Sequence, residues 1–597
     1  MKLPLLKLSI ERQRFFTTIL AVCFLNFFVQ NVSAQGTWTA LTHIAPNPNL
    51  GGMLVLSDGT ILCKTSSGTT DGIGNLYNRL TPDASGSYAN GTWSSIAAMH
   101  NTRLYYSSQV LKDGRVYVAG GEYGTGGSSG ETYNPLTNVW TNNAAIGSFV
   151  SDANSEILEN GTILQALVTG TLRSTKLYDP VANVYSTGPT ALGIHNESAW
   201  LKLPDNSILF INRGATSSER YIPALNQWIA DATVPVSIYD PFGLESGGAL
   251  LLPNGQGLFL GSLGHNALYT PSGSTAMGTW TAAADFPNGQ GTPDAPAVML
   301  VNGKVLCVVS AKPTSANHFP VPASYYEYDY TTNTFTRVNA PAGGLTDNIS
   351  SYQANMIALP NGQVLYADQG SNQYYVYTPG GTSLTSGKPV ITKIQKSGPA
   401  TFMFVGHLFN GISEGSTYGD DWQLNSNYPL IRITAGTKVF YARSFNWNST
   451  GVMRGGAADT VFVTPPTGLP KGPYSIQVVA NGIASDPVVA GFNSLDTYIA
   501  ADAVAGAIKL GTNQNNFSVY PNPAVNQTSL QFNMAETGST SIRIVDMNGK
   551  NLKELFNGTM QKGYYNIQVS TADLPKGVYN IRMVTSKGTQ TTKLVVQ

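Results

Sequence analysis

Seven times along this chain an apolar run is cut by a short Asx-Gly turn and answered by a second apolar run. The clearest copy reads Tyr105-Tyr106-Ser107-Ser108-Gln109-Val110-Leu111-Lys112-Asp113-Gly114-Arg115-Val116-Tyr117-Val118-Ala119-Gly120-Gly121, followed by Tyr133-Asn134-Pro135 and Asn138-Val139-Trp140. The turn position recurs at Gly59, Gly114, Gly161, Asn206, Gly255, Gly303 and Gly362. Asp-Gly and Asn-Gly supply the positive φ angles that a two-residue turn between twisted strands demands. Each copy therefore predicts a hairpin, and the Tyr and Trp segments behind it predict two further strands. The seventh copy, Gln353 to Pro379, has no Trp strand of its own. Gly36-Thr37-Trp38-Thr39 is expected to supply it, which closes a ring and removes the sheet edge. Seven copies predict a seven-bladed propeller.

After Pro389 the repeat stops. Residues 388–493 alternate as an immunoglobulin-like sandwich, and 494–514, rich in Ala, Asp and Asn, read as a linker. Only 11% of residues are charged and the formal net charge is zero, with 62 Gly and 33 Pro. Such a chain offers no electrostatic footprint for nucleic acid or an anionic membrane, and it suits a turn-rich, all-β extracellular protein. Cys63 and Cys307 each fall four residues past the turn glycine of their repeat. They are expected on equivalent strands of separated blades, too far apart to bridge, as buried free thiols.

Both ends of the chain read as export signals. Lys2, Lys7, Arg12 and Arg14 precede the apolar run Phe15 to Val29, and Val32-Ser33-Ala34 offers small residues for signal peptidase. Residues 1–34 are thus expected to leave, with no transmembrane anchor in the mature chain. At the other end come Phe517-Ser518-Val519-Tyr520-Pro521-Asn522-Pro523, Arg543-Ile544-Val545-Asp546-Met547-Asn548-Gly549-Lys550 and Leu574-Pro575-Lys576-Gly577-Val578-Tyr579. This set resembles the C-terminal sorting domain of the type IX secretion system, over residues 515–597 as a small β-sandwich. The resemblance implies recognition by outer-membrane secretion machinery and a protein secreted or held at the outer cell surface.

Counting back nine or ten residues from each turn marks the start of each inner strand, beside the central channel. The residues are Leu50, Tyr105, Asp152, Glu197, Glu245, Asp294 and Tyr352, with Gln353 beside the last. Four consecutive blades each present a carboxylate to one mouth. Such a ring suits a hard cation such as Ca²⁺, an acid/base pair for glycosidic chemistry, or plain capping of backbone N–H groups. None of the six histidines falls into a two-histidine zinc spacing. His195, two residues before Glu197, lies by the same mouth.

A propeller followed by this sandwich resembles the kelch-type galactose oxidase and glyoxal oxidase family, in its bacterial branch with an early-set domain, over roughly residues 36 to 490. The blocks that carry the likeness are Leu251-Leu252-Pro253-Asn254-Gly255 and Tyr418-Gly419-Asp420-Asp421-Trp422. The family's copper takes two tyrosines and two histidines, one tyrosine being cross-linked to a cysteine beneath an aromatic shield. The resemblance matches Tyr105 and Tyr352 to the tyrosines and Tyr123 to the shield. It puts Gln353 and Phe445 where the imidazoles belong, and Asn49-Leu50-Gly51 where the cysteine belongs. Two tyrosines alone are poor copper ligands, so copper-radical oxidation is not expected. The chain is read without a resident cofactor, Ca²⁺ staying open at the acidic mouth.

The reading that follows is a secreted or surface-held propeller binding glycans or another extracellular polymer at Tyr105, Asp152, Glu197, Glu245, Asp294, Tyr352 and Gln353. The alternative is an extracellular enzyme, either a galactose oxidase-like oxidoreductase or a polysaccharide hydrolase or lyase using the axial carboxylates.

Overall fold

The computed structural model describes residues 35–597 apart from 67–72, 124, 169–172, 197–198, 416, 419–425, 493–494, 496, 500–506, 511–516, 521, 535 and 561–562. Seven antiparallel sheets follow one another around the ring. The inner strands are Asn49–Val55, Ser107–Val110, Ser155–Ile157, Ala199–Lys202, Ala249–Leu251, Ala297–Met299 and Ala354–Ala358. Blade 7 is completed by Thr37–Ala40, which pairs with Tyr375–Thr378 in the register Thr37↔Thr378. The protein is a seven-bladed β-propeller closed by its own first strand, followed by two β-sandwiches.

The repeated turn is a different hairpin from the one expected. Its Asx residue keeps a negative φ, and only the position after it is left-handed, for example Gly114 at φ 85 and Asn206 at φ 64. In all seven blades the Asx side-chain oxygen accepts the N–H two residues on: Asp58, Asp113, Asn160, Asp205, Asn254, Asn302 and Asn361, at 2.9–3.2 Å. The N–H of the left-handed residue returns to a leucine carbonyl three back, as Gly114 does to Leu111. This is a three-residue loop with a bulge glycine, in which the side chain itself satisfies the turn.

A second repeated device locks neighbouring blades together. Asn138, Asn183, Asn226 and Asn333 all sit at φ 50–54. Each accepts the hydroxyl of a tyrosine five residues earlier (Tyr133, Tyr178, Tyr221 and Tyr328) at 2.9–3.0 Å. Three of these asparagines also accept an N–H from the preceding blade's final loop, namely Ala97, Ala144 and Ala284. Cys63 and Cys307 are free and buried on the second strands of blades 1 and 6.

The sandwich docks on the face of the ring that carries the turns. Ser444 N–H donates to Ser57, Asn446 N–H to Lys112, and Val439 N–H to Ala84. A Cβ on Gly59 would lie 2.4 Å from the Tyr441 ring. The strand Lys438–Phe445 pairs with Leu430–Ala435 through its first half and with Asp459–Thr464 through its last three residues, joining the two sheets.

One segment of the sandwich leaves it and enters the ring. Thr417–Tyr418 pairs antiparallel with Ala199–Trp200 on the edge of the blade 4 inner strand that faces away from its own blade. Gly415 bridges Leu250, and Leu251 N–H donates to the Glu414 carbonyl. A strand added to the free edge of an inner strand can only lie in the axial channel. Residues 414, 415, 417 and 418 therefore enter the channel from the turn face.

Residues 494–514, expected as a linker, contribute two strands. Thr497–Ile499 pairs with Val390–Gly398 of the sandwich, and Ala507–Leu510 with Gly563–Ser570 of the last domain. Edge addition is available because both sheets would otherwise end with unpaired N–H and C=O groups. The last domain stacks two four-stranded sheets around Leu530, Phe532, Ile542, Ile544, Ile581 and Leu594. Among the described residues no helix is long and apolar enough to cross a membrane.

Candidate functional site

The sandwich covers the turn face, and the other end of the channel is the mouth at which the inner strands begin. Tyr105, Asp152, Glu245, Asp294 and Tyr352 stand two to four positions ahead of their inner strands rather than on them, Gln353 stands one ahead, and Leu50 falls on its strand. Tyr105, Asp152 and Asp294 are left-handed, at φ 46, 52 and 51, and Leu244 beside Glu245 has φ 63. Non-glycine residues hold this conformation at a cost of about 1–3 kcal/mol each, supported by the structure around them. Here the kink swings the chain from the previous blade's outer strand onto the axis, so the side chain at the kink is delivered to the mouth.

Asp152, Glu245 and Asp294 converge. Burial pushes the Glu245 carboxyl well above the ordinary carboxylate range, the charges of Asp294, Asp152 and Asp240 add to the shift, and Arg213 opposes it. A carboxyl set among like charges and out of water is shifted toward its neutral form. Glu197, the fourth expected acid, lies outside the described residues, and so does Leu50's side chain.

Two residues that build this mouth were not anticipated. Asp240 is buried and accepts the N–H groups of Phe242 and Gly243 at 2.7 Å and of Glu245 at 3.1 Å. It folds the loop that presents Glu245, and Arg213 Nη2 clamps the same loop by donating to the Gly243 carbonyl at 3.0 Å. The signal was present: Asp240-Pro241 opening a turn before Gly243 is an Asx-Pro turn initiator.

The tyrosine end is arranged differently. Tyr105 Oη donates to Gln369 at 3.3 Å and its ring meets Tyr123 edge-on at 6.4 Å. Tyr352 packs on Phe319, which neighbours His318, which in turn stacks over Phe242. Gln353 is occupied locally, its Oε1 accepting Ser350 N–H at 2.8 Å in a capping box. Around this ring stand exposed aromatics: Tyr123 at 72%, Phe149 at 59% and Phe242 at 43% exposure.

Two further residues singled out in the sequence have surroundings of their own. His195 is a buried structural histidine: Nε2 meets Glu219 at 3.0 Å, Nδ1 accepts Trp200 Nε1 at 3.0 Å, and burial lowers its pKa against the pull of Glu219. Phe445, matched to an imidazole position, stacks on Phe462 on the turn side and does not approach the axis. The sandwich residues that do reach the axis are Glu414, Gly415, Thr417 and Tyr418. Their continuation, with Gly419-Asp420-Asp421-Trp422, falls outside the described residues.

The donors present do not fit the family's copper. Gln353 is a carboxamide already engaged, and Phe445 has no donor atom and sits at the wrong end. Among the described residues, no three His, Cys, Asp or Glu side chains come together in an arrangement that could hold a metal ion.

Residues 518–597 match the secretion system C-terminal sorting domain family. The protein is accordingly exported, either secreted or held at the outer surface, and its tail interacts with the secretion machinery. The spermatocyte protein spe-26 of Caenorhabditis elegans is 34% identical over 104 residues, which is 16% of this chain and 18% of that protein. The chain thus spans under a fifth of that relative's length. Among solved structures, a fungal alcohol oxidase of the AA5 family in complex with copper aligns at TM-score 0.46 and 14% identity, covering 77% of this chain and 99% of that one. A catalytically inactive virginiamycin B lyase variant from Staphylococcus aureus with quinupristin aligns at TM-score 0.41 and 11% identity, covering 58% of this chain and 99% of that one. A streptogramin B lyase aligns at TM-score 0.40 and 10% identity, covering 58% and 98%. At these scores the likenesses carry no argument about activity.

Proposed function

We propose that the exported protein binds a neutral extracellular polymer, a glycan, at the open mouth of its propeller. The observation that supports this reading is the pairing of exposed rings with acids. Tyr123, Phe149 and Phe242 stand within five residues of Tyr105, Asp152 and Glu245, or in ring contact with them. Sugar rings stack their C–H faces on aromatic rings, while carboxylates accept their hydroxyl protons. In this reading residues 35–387 form a kelch-type propeller, 388–493 an early-set sandwich, and 1–34 are removed. Copper takes no part, and Ca²⁺ is an occupant to test at Asp152, Glu197, Glu245 and Asp294.

The test is a glycan array probed with the full-length secreted form and with Tyr123→Ala/Phe242→Ala. A hit lost by at least tenfold in the double variant supports the site. A hit retained at full strength moves binding elsewhere.

One observation favours a second reading. Burial and the charges of Asp294 and Asp152 push the Glu245 carboxyl up, and a raised acid beside further carboxyl groups is the pairing that polysaccharide cleavage uses. Release of shorter chains from an array hit, abolished by Glu245→Gln, separates turnover from binding.

A further inference from the structure

The last domain carries a concavity that its core does not need. On the outward face of the sheet built from Gly538–Val545, Asn551–Met560, Gly577–Thr585 and Gly588–Val596 lies a groove of about 390 Å³. Its walls include Arg543 and Arg582, and Val545 and Val584 line it as well. The two arginines are direct cross-strand partners in register. Like charges placed directly opposite destabilise a sheet, and only one of this pair is offset from within. Arg543 Nε and Nη2 both point at Glu554 Oε2, each at 3.1 Å, and Glu554 is its partner on the other neighbouring strand. Arg582 is exposed, with no ion pair or side-chain hydrogen bond among the described residues.

The charge of the domain is biased the same way. Residues 518–597 contain eight Lys and Arg against four Asp and Glu, while residues 35–517 contain more acids than bases. The tail is the basic part of an acidic exported chain.

We propose that this groove is the surface by which the sorting domain docks on the export machinery, and that its occupant is an acidic polypeptide segment. One carboxylate of the segment sits on the Arg582 fork. A second shares or displaces Glu554 on Arg543, and an intervening aliphatic side chain lies along Val545 and Val584. Glu554 already demonstrates the chemistry, since it is a carboxylate seated on one fork of the pair. Planar guanidinium suits paired carboxylates at cross-strand spacing better than an ammonium does. The apolar lining favours a peptide with alternating side chains over a phosphate, which has no use for valine.

The experiment uses the full chain expressed in a bacterium that secretes it. Arg543→Gln/Arg582→Gln should lower the extracellular fraction at least tenfold, with folded precursor of unchanged melting temperature accumulating inside. Arg543→Lys/Arg582→Lys should restore export only in part. On purified full-length protein, a labelled hexapeptide alternating Glu with Val should bind and be lost in the Gln pair. Glu554→Gln, which frees Arg543 without removing a groove cation, should tighten it two- to fivefold. Undiminished export by the Gln pair overturns the proposal. So does displacement of the peptide by equimolar inorganic phosphate, which marks the groove as a general anion site.

Discussion

The two ends of the propeller channel hold the same kind of residue in opposite circumstances. At the plugged end, Lys202 Nζ lies 2.8 Å from Glu156 and 3.2 Å from Glu414, all three buried and drawn from blade 3, blade 4 and the inserted sandwich segment. Burial drags the Lys202 ammonium down, but the two glutamates outweigh it and hold it above its ordinary value. Burial and Glu156 push Glu414 up to about 8, with Lys202 opposing. At the open mouth, Asp152, Glu245 and Asp294 repel one another, and the cation that opposes the shift of Glu245, Arg213, also holds a backbone carbonyl. Asp152 and Glu156 are four residues apart in one blade. The difference teaches where chemistry is available: acids balanced by an internal cation fasten the fold, while acids left to repel one another can be relieved by something that arrives.

The harshest way to break this comparison is to remove the cation. Lys202→Met leaves two buried carboxyls without their ammonium and should cost roughly 3–5 kcal/mol, the usual loss when one partner of a buried ion pair goes. Adding Glu156→Gln and Glu414→Gln to it should recover much of that loss, because a neutral cluster has no charge to desolvate. Chemical denaturation of the three proteins measures both. Equal stability of Lys202→Met and the parent would mean that strand addition alone seats the plug.

Next in size is the loop that builds the mouth. Asp240→Ala strands three N–H donors and should cost about 1–3 kcal/mol, together with the position of Glu245. Asp240→Asn keeps the oxygen that accepts from Phe242 and Gly243 and should lose much less. If the two substitutions melt alike, Asp240 does not shape the mouth.

That pair also marks where the sequence was and was not readable. The seven turns were legible because positive φ needs Gly or Asn, and an Asx before it is a chemical requirement visible in a few letters. The closing strand at Thr37–Ala40 was legible as the one Trp strand missing from a count of seven. Register set Tyr105, Asp152, Glu245 and Asp294 at the starts of inner strands, and each stands two to four residues ahead of one. The plug was not legible, because strand addition by Thr417–Tyr418 depends on the edge of Ala199–Trp200, far away in the chain, and no local signal reports it. Phe445 was misplaced for the same reason: a family match fixes the strand a residue belongs to more easily than the side of the ring on which that strand ends. His195 was expected, like the other histidines, to be a satisfied residue more readily than a ligand, and its partners Glu219 and Trp200 satisfy it in the core.

A pH series sharpens the comparison at smaller amplitude. Glu414 and Glu245 both have folded-state pKa values raised above the ordinary glutamate value. Between the unfolded and folded pKa the folded state binds the extra proton, so stability is full below about 4.5 and falls as pH rises through the folded value. For Glu414 that window runs from about 4.5 to about 8. Glu414→Gln and Glu245→Gln should each flatten the fall of melting temperature between pH 5 and pH 9, and should match the parent's slope below pH 4. Ca²⁺ discriminates between the ends: if a cation settles at the mouth, it should raise melting of the parent and of Glu414→Gln, and not of Glu245→Gln.

The smallest effect on stability is expected where the effect on binding is largest. Tyr123 and Phe242 are exposed, so truncating either removes little buried surface and should stay within about 0.5 kcal/mol of the parent. The Tyr105 ring loses one edge-on neighbour and His318 loses a stacking partner, and neither contact is part of a blade core. Yet both rings stay exposed, at 72% and 43%, and one aromatic stacking contact in a binding site contributes on the order of 1 kcal/mol beyond its area. Loss of two rings should therefore weaken glycan binding by tenfold or more while the melting curve stays in place. Lys202→Met at the other end should do the reverse wherever the protein remains folded, unfolding earlier while binding the same ligand with unchanged affinity. A matched loss of both properties in either variant would mean that the two ends of the channel are coupled, and that the plug shapes the mouth it points toward.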